Sequence, residues 1–238
     1  MDKRETYWLV GIAGVLAMIL LGVIAFVMLI PGSPVPLLMG NIVNALFATG
    51  SVQALWYVTR AAGIVAYLLL WLSTTYGLAV SSKIFDPLLN RYFTYDTHQF
   101  LSLLAIGFVF LHVVVLMADR YLPFSIAQVV VPFIAPYRPI WVGVGVIALY
   151  LTLLVSVTFY VRSWIGYKTF HAIHFASLIA WFGAAVHGLM AGTDSPLWSV
   201  QLMYAGTTLV VVFLLVYRVL MAWASPRTGG VGSRANSK

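Results

Sequence analysis

The sequence predicts an all-α bundle of six transmembrane helices with both termini in the cytoplasm. Three observations carry that class. Hydrophobic residues make up 62% of the 238-residue chain and charged residues only 8%, against about 25% charged in an average soluble domain. The apolar residues gather into six runs of membrane-spanning length, separated by short stretches rich in Pro, Gly and charge. All five histidines fall inside two of those runs, and four of them form two widely spaced pairs, His98 with His112 and His174 with His187. An ionisable side chain in a span is costly and marks a functional site by default.

The composition also excludes several chemistries. Cysteine is absent, which removes disulfides, thiolate-bound iron–sulfur clusters and covalent haem attachment through C-x-x-C-H. The net charge of +7 comes from basic residues scattered over loops and tail. That pattern fits an anionic membrane surface and gives no nucleic-acid-binding stripe.

Taken in order, Tyr7 to Ile30 form the first span. The run far exceeds the roughly 7–15 residues of a signal-peptide core. Pro31, Pro34 and Pro36 end it. The following residues to Tyr57 are apolar but interrupted by Asn41, Asn44, Gly50 and Ser51, and read as an interfacial or re-entrant segment. Residues 1–57 thus form a first span plus interfacial segment. The second span is expected over Val58–Val80, with Arg60 at its entrance. A polar turn, residues 81–96, leads to the third span, Thr97–Met117. The connection containing Pro123, Pro132, Pro136 and Pro139 is again interfacial in character. The fourth span covers Ile140–Val161, the basic turn RSWIGYK leads to the fifth, Thr169–Met190, and the sixth covers Leu197–Trp223. Residues 58–223 form the bundle proper. The tail 224–238 is Gly/Ser-rich, basic and expected to be disordered.

Orientation follows from the cations. With the N-terminus inside, Lys3, Arg4, Lys83, Arg91, Arg162, Lys168, Arg218, Arg227, Arg234 and Lys238 fall on the cytoplasmic side. Only Arg60, Arg120 and Arg138 fall outside. Ten against three satisfies the positive-inside rule. The third and fifth spans then run in the same direction. His98 and His174 lie toward the inner face, and His112 and His187 toward the outer.

Neutral imidazole is the commonest metal-ligating side chain. Two histidines on each of two parallel spans therefore read as four axial ligands for two b-type haems, one inner and one outer. The separations correspond to about 21 and 20 Å along a helix, inside a hydrocarbon core of about 30 Å. From His98 to His112 the step returns to within about 40° of one face, but His174 and His187 end about 140° apart on a straight helix. The fifth span must therefore bend or tighten, and Gly183 is the expected weak point.

With H-x13-H on the third span and H-x12-H on the fifth, the bundle resembles the ferric reductase-like transmembrane domain. That family includes the NADPH oxidases, the ferric-chelate reductases and the small haem subunit of the bacterial methionine sulfoxide reductase system. The texture of HFASLIAWFGAAVHG and the TRAAG opening the second span are also similar. The resemblance, over about Val58–Trp223, implies that His98, His112, His174 and His187 are the haem-iron ligands. It further implies an oxidoreductase subunit in a bacterial-type inner membrane, passing electrons from a cytoplasmic-side donor to an outer-face acceptor. Family oxidases continue into a flavin and nicotinamide domain, whereas no G-x-G-x-x-G occurs here. A separate flavin reductase or a membrane quinol is therefore the expected donor.

Other readings stay open at this point. His171 suits a role beside the haem or near its propionates. Arg60 either snorkels to outer headgroups or clamps outer propionates. Gly63, Gly107, Gly143 and Gly145 either admit a porphyrin or let helices pack closely. Trp71, Phe108, Phe110 and Trp181 read as packing or lipid contacts. The alternatives are a single-haem or quinol-linked cytochrome b subunit and, in another class, a non-redox transporter or scaffold with a histidine proton relay. The expected lack of Asp and Glu in the spans counts against the last.

Overall fold

A computed structural model describes residues 52–82, 84, 90–119 and 122–224. The expected first span, the interfacial segment up to residue 51 and the tail beyond residue 224 lie outside the described residues. Those described hold eight helices: α1 (Val52–Ser81), α2 (Arg91–Ala118), α3 (Ile126–Val130), α4 (Pro139–Tyr160), α5 (Arg162–Ile165), α6 (Tyr167–His174), α7 (Ala176–Ala191) and α8 (Trp198–Ala224). No strand occurs among them. Five membrane-length helical segments result, namely α1, α2, α4, α6 with α7, and α8. Their outward faces carry Phe100, Ile147, Ile179, Leu209 and Phe213, all exposed, as suits hydrocarbon. Exposed Trp198 and Trp223 bracket α8 at the two levels where interfacial aromatics gather.

Local chemistry moves several boundaries. The second span begins at Val52 rather than Val58, so six residues read as interfacial continue the helix. The third begins at Arg91 rather than Thr97, because the Asn90 side chain accepts from the Tyr92 N–H at 2.9 Å and caps the helix there. Asp96 therefore lies within the helix, exposed near its start, and the expectation of acid-free spans does not hold. In the connection after α2, Ser125 and Gln128 form a capping box that nucleates α3.

The fifth span is where structure departs most from expectation. It divides at Phe175, and Gly183 lies inside an unbroken α7. The Leu178 N–H reaches the Phe175 carbonyl at 3.2 Å, a three-residue step. Tightening one turn this way adds about 60° of rotation. The sign is the needed one, bringing His187 toward the face of His174. A methyl on Gly183 would stand 3.2 Å from the Ala148 Cβ; close packing on α4 supports the helix there.

The helices that matter form a ring. α1 packs on α2, α2 touches α4, α4 packs on α7, and α7 packs on α1, while α8 lies outside against α1 and α7. Thus α2 and α7 sit on one diagonal, and α1 and α4 on the other. Tyr67, Leu78, Trp181, Ala185, Tyr204 and Val211 form the core where α1, α7 and α8 meet. Phe124, Ala135 and Val142 close the end of the ring beside α3. There the Tyr137 hydroxyl donates to the Ala191 carbonyl at 3.0 Å and Arg138 to the Met190 carbonyl at 2.5 Å. These bonds satisfy carbonyls at the end of α7 and pin the helix that carries His187.

Candidate functional site

Both histidine-bearing segments face the space inside the ring. At one end the rings of His98 on α2 and His174 on α6 lie 6.1 Å apart between centroids, at 81° to each other. An ion held between two imidazole nitrogens at about 2 Å from each spreads the ring centres to roughly 6 Å. At the other end His112 on α2 and His187 on α7 line one cavity of about 540 Å³. That size is within the roughly 300–1,000 Å³ of pockets that hold small molecules and cofactors.

Hydrogen bonding fixes the chemical form of the His112–His187 pair. His112 Nδ1 lies 2.8 Å from the Thr59 carbonyl oxygen, and His187 Nδ1 lies 2.8 Å from the Trp141 carbonyl oxygen. A carbonyl only accepts, so each Nδ1 carries the proton and each Nε2 keeps its lone pair. A backbone carbonyl on one ring nitrogen is the usual orienting partner of a metal-binding histidine. The His98–His174 pair is less restrained. His98 Nδ1 has the Ser73 hydroxyl at 3.4 Å, itself bonded to Ser102 at 2.7 Å. His174 Nδ1 is buried without a partner among the described residues, and its ring packs 5.3 Å from that of Phe170.

Three of the four rings rest on glycine. A Cβ built on Gly63 would stand 2.9 Å from His112 Nδ1, one on Gly77 would stand 3.0 Å from His98 Cε1, and one on Gly145 would stand 2.5 Å from His187 Nδ1. Of the four glycines singled out from sequence, Gly63 and Gly145 thus clear histidine rings, Gly143 clears the ring of Phe133, and Gly107 faces open space. Gly77 was not among them. A signal for it existed: Gly63 and Gly77 on α1 have the same separation as His98 and His112 on α2, as two antiparallel neighbours in register require.

Arg60 lies on the wall of the cavity that holds His112 and His187, together with Asp119 and Asp194. Its Nε donates to Asp194 Oδ2 at 2.6 Å, its Nη2 pairs with Asp194 Oδ1, and its guanidinium lies 4.0 Å over the ring of Trp56. The cation is therefore held at the cavity by a carboxylate from the α7–α8 connection. Sequence reading missed that partner, although Asp194 is one of only six acidic residues in the chain. His171 stands apart, exposed on α6 with its ring 4.2 Å from Tyr167. Arg218 on α8 donates to Ser81 Oγ and lies 5.7 Å from the ring of Phe175, a cation at the His174 end of the ring of helices.

No group of three or more His, Cys, Asp or Glu side chains suited to a metal ion occurs among the described residues. What the site offers is paired imidazoles. Comparison with protein-family models, with curated proteins and with solved structures finds no match.

Proposed function

We propose that this chain is a haem-binding membrane subunit of the ferric reductase-like type, a six-span bundle with both termini in the cytoplasm. It moves electrons from a cytoplasmic-side donor to an acceptor at the outer face. The observation that carries the reading is the outer pair: His112 and His187 share one cavity, and each is held as the Nδ1–H tautomer with a lone pair on Nε2. Two imidazoles suit a metal group that brings its remaining ligands with it, and His112 and His187 would hold such a group. A haem bound between such a pair supplies a one-electron iron couple, and two imidazoles favour electron transfer over oxygen binding at the metal.

The chain's own residues do the rest. His98 and His174 would hold the inner group, and His112 and His187 the outer. Arg60 places a cation where carboxylates of an outer group would need one, in competition with Asp194. The apolar walls of the cavity, among them Ile64, Leu70, Val109 and Val146, keep water away from the iron. Exposed Arg162 and Lys168 beside α6 offer a basic rim to a soluble reductase or flavin protein at the inner face. A quinol arriving through the bilayer is the competing donor.

The contrast between the pairs favours a second reading, one haem at the outer pair only, since His174 Nδ1 has no partner among the described residues. Absorption spectra of protein made with ample haem, before and after dithionite, test both. Two low-spin b-type haems per chain are expected; one supports the second reading, and a colourless protein rejects both. His98→Ala and His174→Ala should deplete one titrating component, and His112→Ala and His187→Ala the other.

A further inference from the structure

We infer that Gly63, Gly77 and Gly145 are positioning residues, each setting the rotation of one histidine, and Gly63 and Gly145 its tautomer as well. The inference rests on the proposed haem ligation for its spectroscopic consequences and on geometry for its substance. One device occurs three times. The glycine faces the imidazole, and the residue four positions before it supplies the group beside Nδ1: Thr59 before Gly63 for His112, Ser73 before Gly77 for His98, and Trp141 before Gly145 for His187.

In an α-helix the carbonyl of residue i−4 accepts from the N–H of residue i. At Thr59 and Trp141 that same carbonyl accepts a second hydrogen bond, from the imidazole Nδ1–H. The ring must lie almost against the helix backbone to reach it, and only a residue without Cβ leaves that space. A helical glycine ordinarily costs stability relative to alanine, so glycine at all three ring contacts answers a steric need. The histidines occupy one diagonal of the helix ring and the glycines the other, so three of the four imidazoles each meet a glycine of a neighbouring helix. His174 lacks the arrangement: it sits at the break of the fifth span, and its Nδ1 has no partner among the described residues.

The test substitutes each glycine by alanine in the full-length protein, purified with ample haem. Gly145→Ala, with the closest approach, is expected to halve haem content by removing the component lost in His187→Ala. Gly63→Ala is expected to alter the low-spin EPR signal of that same outer component, and Gly77→Ala that of the inner one. Gly107→Ala, with nothing within 4 Å of its Cβ, should change neither. Equal loss of both components in all three glycine variants would assign them to general packing and overturn the inference, as would no change in any. Should a glycine variant not be recovered folded, Ser73→Ala decides, because it adds no atom. It should shift the inner component alone, and an unshifted component overturns the inference.

Histidine ¹⁵N NMR on haem-free protein separates this inference from the haem reading. His112 and His187 should show the Nδ1–H tautomer, lost at His187 in Gly145→Ala. A colourless wild type with this pattern intact rejects haem ligation and leaves the positioning role standing. A wild type that binds haem without the pattern does the reverse.

Discussion

The Arg60–Asp194 pair ties the start of α1 to the loop before α8 at the cavity of His112 and His187, and its strength can be worked out. At about 4 Å between charge centres the attraction is about 4 kcal/mol at an effective dielectric of about 20, and about 1 kcal/mol in water. The two side chains are 24% and 19% exposed, so the pair lies between these limits. Desolvation and the ordering of a long side chain offset part of the gain. A coupling of about 2 kcal/mol is expected, which for a chain of this size is roughly 4–8 °C in Tm. A double-mutant cycle with Arg60→Met and Asp194→Asn, followed by thermal unfolding in lipid nanodiscs, isolates it. Arg60→Met also removes the contact with Trp56, but that loss is common to both arms and cancels. Each single variant should be less stable than wild type, and the double variant more stable than the summed losses allow. A coupling under about 0.5 kcal/mol would refute the assignment of this pair as an outer clasp.

Two further outcomes follow from the core. Val211 is 0% exposed where α8 meets α1 and α7, whereas Val212 is 49% exposed; Val211→Ala should cost about 2 kcal/mol and Val212→Ala under about 0.5 kcal/mol in denaturant titrations. Tyr67 and Thr207 share a buried hydroxyl–hydroxyl bond of 2.5 Å, so Tyr67→Phe should cost about 1 kcal/mol. Equal losses for the two valines, or a neutral Tyr67→Phe, would place the α1–α8 contact elsewhere. Under the proposed function, reduction by a flavin reductase that docks through Arg162 and Lys168 should slow as salt rises, because such charges are screened within about 8 Å at physiological ionic strength. A quinol donor should be indifferent to salt.

Hydropathy made five of the described spans legible, because a helix in lipid must be apolar along most of its length. Boundaries were less legible, since a side-chain cap such as Asn90 adds two turns of helix that no hydropathy pattern marks. The need for a distortion in the fifth span could be read from the spacing of His174 and His187, but its place could not. Glycine is a weak point only where neighbours leave it unsupported. Gly183 is supported by Ala148, and the irregular turn falls at Phe175, which is 57% exposed. The histidines were visible as single residues, and their partners were mostly not. Thr59 and Trp141 act through backbone carbonyls, which any residue could supply. Asp194 is far from Arg60 in sequence and meets it only because α1 and α7 are neighbours.

The matched register of α1 and α2 has a consequence for how such a chain can change in length. The distance between the two histidine levels is written twice, once as His98 to His112 and once as Gly77 to Gly63. One residue inserted between the histidines turns one ring about 100° away from its glycine, and the same insertion in α1 turns the glycine instead. Only compensating insertions in both helices preserve both contacts. The separation of the two levels is therefore shielded from gradual drift by single insertions or deletions, and an engineer who wants a longer or shorter span between them must edit both strands of this helical hairpin together.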